Sequence, residues 1–153
     1  MDVYRIAKKA FVNDLSGEGA RLYGGRWNKK GTSLLYTAEN RSLATVEYLV
    51  HIPLSIVPND IYIASINLPE KIRIHTVEEN ELPSNWTEYP SPFQLSQIIE
   101  KLIEEKNPLA IRVPSVIVRG EWNILVNPTH QDFNQIKITN IRECFFDKRL
   151  LRK

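Results

Sequence analysis

Apolar and polar positions alternate along residues 60–68 (DIYIASINL), the two-residue period of a half-buried strand, and a similar alternation runs over 71–77 after a turn at Pro69 and Glu70. Val3 to Ala7 and Leu34 to Ala38 read as two further short strands, with a glycine-rich segment looping between them. Between Ser42 and Val50 the spacing changes: Leu43, Ala44, Val46, Leu49 and Val50 fall three and four residues apart, which predicts a helix that Pro53 ends. A second helix is predicted over 92–105. Ser91 serves as its N-cap, Pro92 takes its first position, Gln94 closes a capping box, and Leu95, Ile98, Ile99, Leu102 and Ile103 share one face. Short β-like runs follow at 109–113, 115–118, 123–126, 135–141 and 143–146, separated by proline, glycine and asparagine. Many short strands with two helices do not make a regular β-α alternation. The pattern predicts an α+β fold around a mixed, largely antiparallel sheet and disfavours a doubly wound parallel one.

Length and composition narrow the partners. A chain of 153 residues with 42% hydrophobic content fits one domain, 1–153, with a real core. The 20 Lys and Arg exceed the 18 Asp and Glu by only two, too few to argue for direct DNA binding or an anionic membrane. Cys144 is the single cysteine, so neither an internal disulfide nor a cysteine-based zinc site can form, and a reducing cytoplasm is the expected location. The start, MDVYRIAKKAF, has no long apolar core, and no run approaches the roughly 18 apolar residues of a membrane helix.

Familiar nucleotide and hydrolase motifs fail on inspection. Gly17 and Gly19 give part of a dinucleotide fingerprint, but no strand leads directly into them. Gly25 to Gly31 is followed by Thr32 where a phosphate loop requires lysine. Ser115 lies in RVPSVIV without the glycine-flanked elbow of a serine nucleophile. Glu47 and His51 are four residues apart and share a helix face, yet two groups do not make a metal site; His75 and His130 also lack ligand-like spacing. Cys144 reads as an inert, half-buried thiol.

What remains is the block 19–51, GARLYGGRWNKKGTSLLYTAENRSLATVEYLVH. Its Gly24-Gly25-Arg26-Trp27-Asn28 stretch suits neither a helix nor a strand interior and fills little core, so it is expected to hold a ligand. Arg26 offers a fork of donors for phosphate oxygens, against the alternative of a surface ion pair. Tyr36 can stack on a planar ring, although most tyrosines are simply core. Glu47 lies between Val46 and Tyr48 on the predicted helix, where a carboxylate is either solvent-facing or paired and functional.

Residue order and spacing in this block, together with LSGEGARLYGGRWN at 15–28, RVPSVIV at 112–118 and WNILVNPTHQDF at 122–133, resemble the RES domain family, named for its arginine, glutamate and serine. The match spans nearly the whole chain, and several linked motifs in order are more specific than any one of them. The resemblance implies an ADP-ribosyltransferase-like fold and a toxin of a bacterial toxin–antitoxin pair. It also implies that NAD is consumed as substrate rather than held as a cofactor, by cleavage of the nicotinamide–ribose bond, as a glycohydrolase or a phosphorylase. The family's arginine falls on Arg26, its tyrosine on Tyr36, its glutamate on Glu47 and its serine on Ser115. Glu47 is then expected to stabilise the reacting ribose, Arg26 to grip the pyrophosphate and Tyr36 to stack on nicotinamide. Ser115 either bonds substrate or orients Glu47, and no metal takes part. The implied partner is an Xre-like antitoxin that occludes the cleft, with water, inorganic phosphate or a target protein as acceptor. Two alternatives use the same residues: mono-ADP-ribosylation of a protein, and a non-catalytic module that binds a dinucleotide or a partner.

Overall fold

The computed structural model describes residues 1–53, 56 and 58–151. Seven strands form one sheet in the order β4-β5-β6-β2-β1-β3-β7. They are β1 (Asp2–Lys8), β2 (Leu35–Ala38), β3 (Ile61–Asn67), β4 (Ile74–Thr76), β5 (Ala110–Pro114), β6 (Trp122–Val126) and β7 (Lys137–Glu143). Every neighbouring pair is antiparallel except β4 with β5. This is the mixed, largely antiparallel α+β architecture that the period changes in the sequence predict.

Strand alternation sends successive side chains to opposite faces. Val3, Leu35, Ala64, Ile66, Ile124 and Val126 face one way, where the loop residue Val12 and Ile136 cover them. On the other face Ile111, Val113 and Leu125 meet Leu95, Ile99 and Leu102 of α3 (Gln94–Lys106) together with Trp27 and Trp86. The second long helix, α2 (Arg41–Val50), lays Leu43 and Ala44 on Ala38, beside Tyr4 and Ile6. Because Tyr36 and Ala38 are two apart on β2, and Ala38 pairs with Asn123 of β6 and Tyr4 of β1, all four belong to this face. Asn40 starts α2: its Oδ1 accepts the Leu43 N–H at 2.8 Å, the N-cap bond that fixes where the helix begins.

Four expectations need correction. Helix α3 begins at Gln94, with no side chain capping it, so Ser91 is not the N-cap. Phe93 already has helical backbone angles, and the Pro92 and Phe93 carbonyls accept from Leu95 and Gln97, so the backbone itself closes the first turn. Residues 115–118 are a turn rather than a strand, because the Ser115 Oγ accepts the N–H groups of Ile117 and Val118, both at 3.1 Å, and curls the chain. The 143–146 run continues no strand past Glu143; Phe146 instead stacks on Tyr48 with ring centres 5.8 Å apart. The 71–77 alternation yields only the three residues of β4.

The loop between β1 and β2 also contains a short helix, α1 (Glu18–Tyr23), which no periodicity announced. Gly17 precedes it with φ +70°, and a Cβ there would sit 2.8 Å from the Leu34 backbone. That close approach, rather than any nucleotide, explains this glycine. Gly17→Ala is expected to destabilise the fold by at least about 2 kcal/mol, since strain and overlap add. Urea unfolding checks this, and a change within about 0.5 kcal/mol, the range of an ordinary surface substitution, would contradict it.

Candidate active site

The cleft lies on the α2 side of the sheet and encloses about 830 Å³, a volume typical of small-ligand sites. Arg26, Tyr36 and Glu47 all line it, as do Tyr48, His51 and Asn123. Helical spacing carries Glu47 to its wall: Leu43 and Ala44 seat α2 on the sheet, and one turn later the carboxylate projects at the edge of that contact.

One oxygen of that carboxylate is fully engaged. Glu47 Oε1 accepts from Ser115 Oγ at 2.8 Å and from Asn123 Nδ2 at 2.6 Å, while among the described residues no group donates to Oε2. Cross-strand register brings the two donors together, since Asn123 pairs with Val113, two residues before Ser115. Ser115 is buried and does not line the cleft. Its one hydroxyl proton goes to Glu47, and its oxygen accepts the Ile117 and Val118 amides, so no hydrogen-bonding capacity remains for a ligand. The geometry makes Ser115 a holder of Glu47.

Tyr36 is anchored in the same manner. Its hydroxyl donates to Asn28 Oδ1 at 2.8 Å and accepts the Trp27 amide at 3.0 Å. Burial pushes the phenol well above the usual tyrosine range, against the smaller opposing effect of the bonds to Trp27 and Asn28. Asn28 completes the loop: its Nδ2 reaches the carbonyls of Ala20, Lys29 and Thr32 at 2.8, 3.0 and 2.9 Å. A Cβ on Gly25 would lie 2.6 Å from the Tyr36 hydroxyl, so only glycine leaves room for this arrangement. The expectation that the stretch fills little core is overturned. Trp27 and Asn28 are each only 2% exposed, Trp27 packing among apolar side chains and Asn28 saturated with hydrogen bonds.

Arg26 is not free either. It donates to the backbone carbonyls of Trp86 at 2.8 Å and Glu88 at 3.2 Å, tying the glycine loop to the segment that carries Thr87 and Tyr89 along the cleft. Burial lowers its pKa, and the charge of Glu47 partly offsets this, which marks the two as electrostatic neighbours across the cleft. All four sequence-predicted residues therefore converge, three on the cleft and Ser115 behind Glu47. Asn123 was missed. Its one available signal was a polar residue entering the apolar run WNILV at the cleft-side position of the alternation.

Tyr36→Phe leaves the Trp27 amide and Asn28 Oδ1 without their partner and is expected to cost about 1–3 kcal/mol in urea unfolding. The pH dependence follows from the raised phenol. Stability from keeping Tyr36 neutral is complete below the unfolded value of about 10 and is lost as pH rises toward the higher folded value. The wild-type protein should therefore lose more stability above about pH 10 than the Phe variant, and parallel alkaline profiles would refute this.

The RES domain model matches residues 2–147. A "Prs ADP-ribosylating toxin" of a Sphingobium species is 34% identical over 98% of this chain and 96% of its own. A "Toxin Res" of Yersinia enterocolitica is 36% identical over 87% of this chain and 88% of its own. Among solved structures, a chain of the M. tuberculosis MbcT–MbcA toxin–antitoxin complex shares the fold, with a TM-score of 0.71 at 20% identity over 98% of this chain and 86% of that one. With its sequence matched almost end to end and its cleft assembled around one held carboxylate, the chain belongs to the RES domain family.

Proposed function

We propose that the chain is the toxin of a type II toxin–antitoxin pair and degrades NAD by cleaving the nicotinamide–ribose bond, with water or inorganic phosphate as acceptor. The observation that carries this reading is the state of Glu47 on the wall of an 830 Å³ cleft: one oxygen is clamped by Ser115 and Asn123, and the other has no donor among the described residues. As the bond breaks, positive charge builds on the ribose while nicotinamide leaves as a neutral molecule. A carboxylate with a fixed orientation stabilises that charge without having to reorganise, and no general acid is required at the leaving group. The Tyr36 ring, pinned through its hydroxyl, offers a stacking surface for a planar base. Arg26 contributes positive charge from beside Glu47 while it holds the Trp86–Glu88 wall.

A second reading, transfer of ADP-ribose to a protein, is favoured by the relative named as an ADP-ribosylating toxin. It uses the same activated ribose and differs only in the acceptor. An antitoxin that covers the cleft is supported by its apolar rim, where Tyr89 is 90% and Val50 55% exposed. Cytoplasmic action fits a chain with one cysteine, and no helix among the described residues is long and apolar enough to cross a membrane.

Glu47→Gln is expected to fold normally and to lose about 10²–10³-fold in NAD turnover, the usual cost of removing one preorganised electrostatic group. Asn123→Ala should still fold, with a lowered melting temperature, and reduce turnover about 100-fold, because Glu47 is no longer held in its reactive orientation. Chromatography of the products with and without phosphate, beside a gel of protein-bound label from labelled NAD, separates the acceptors. Undiminished turnover by Glu47→Gln would reject the assignment.

A further inference from the structure

A second cavity, of about 720 Å³, lies at the other end of β5 from Ser115. Six residue steps separate Leu109 on its wall from Ser115, roughly 20 Å of extended chain, so it is no subsite of the cleft. Three fixed cations line it, Lys71, Arg73 and Lys106, together with the imidazoles of His75 and His130. Asp132 is the one carboxylate on its wall, leaving a local excess of two positive charges, as large as the formal excess of the whole chain.

The cations are also uncommitted. Among the described residues Lys71, Arg73 and Lys106 have no carboxylate partner, so no ion pair neutralises them. One wall is held by hydrogen bonds. Buried Asn127 donates to Asn107 Oδ1 at 3.0 Å and accepts from both the amide and the hydroxyl of Thr129, locking the α3–β5 connection to the chain after β6. That chain then orients His130, whose Nδ1 accepts the Asp132 amide at 3.0 Å, so Nε2 is left to carry the proton as a donor.

We propose that this cavity is a binding site for a small anion bearing two or more phosphoryl groups, separate from the NAD cleft. Several donors around one hollow suit a ligand with many acceptor oxygens, and Arg73 brings the fork that matches a phosphoryl group. The cations do not contribute equally. Lys106 sits in the last turn of α3, where it also answers the helix's own carbonyl end, while Lys71 and Arg73 have no such second role.

The three histidines of the chain supply the test, because His51 lines the NAD cleft and His75 and His130 line this cavity. Inorganic tripolyphosphate is titrated into ¹⁵N-labelled full-length protein at about 0.15 M ionic strength, where distant charges are screened. Saturable shifts of the His75 and His130 imidazole signals, with His51 still, are expected. Arg73→Gln should weaken binding at least about tenfold, the loss of a charge-assisted contact, and Lys106→Gln should weaken it less. An unmoved His51 signal and an unchanged melting curve show that each variant remains folded. The proposal is overturned by shifts that never saturate, by movement of His51 alone, or by equal binding to a Lys71, Arg73 and Lys106 triple glutamine variant.

Discussion

The bond pair from Ser115 and Asn123 to Glu47 joins three elements: helix α2, the turn after β5, and strand β6. A carboxylate set against an apolar helix seat would ordinarily turn toward water, because leaving it unpartnered near the core costs several kcal/mol. Two donors on one oxygen reverse that preference and fix the side chain. The same bonds account for the local folding around them. Ser115 must be buried to reach Glu47, so the chain leaves β5 by a hydroxyl-stabilised turn, and Asn123 must face the cleft, which fixes which face of β6 is polar at that point. The setting of the carboxylate and the chain path are one constraint here.

The glycine-rich segment follows a parallel logic with different residues. It has almost no regular structure of its own beyond α1, yet it is as buried at Trp27 and Asn28 as the sheet is. Asn28 substitutes for a ladder, satisfying three carbonyls and one phenol, and Tyr36 reaches from β2 to close the ring of bonds. Among the described residues, no buried side-chain polar atom lacks a partner. Polar satisfaction of this completeness lets an irregular loop be rigid, because any other loop conformation would strand several of these groups.

Much of this was legible in the residues and part was not. Sheet-forming runs such as 60–68 and the apolar stripe of α2 announce themselves because burial imposes a period on local sequence. The start of α3 did not, because Ser91-Pro92 resembles a cap while the backbone at Phe93 had already turned helical. Turn 115–118 looked like a strand since three of its four residues are β-branched, and only the long-range partner Glu47 shows why Ser115 bends the chain. Arg26, Tyr36, Glu47 and Ser115 could be named from motif resemblance, but their division of labour depends on contacts 60 to 68 positions apart in sequence for Arg26 and Ser115. No local pattern encodes such contacts. Asn123, 76 positions from Glu47, left only its polarity within an apolar run as a signal for that reason.

Arg26 shows what the tertiary contacts add to a residue type. A guanidinium chosen for its affinity for phosphate is here bonded to two backbone carbonyls, which take up hydrogen-bonding capacity without neutralising its charge. The cation thus keeps its field while losing its mobility. Burial disfavours its charged form, and Glu47, across the cleft, favours it. A lysine in its place would carry the same charge as a single mobile point and could not span the Trp86 and Glu88 carbonyls with a planar fork. The wall and the positive potential would separate, and with them the shape of the cleft from its charge. In this structure one planar group supplies both.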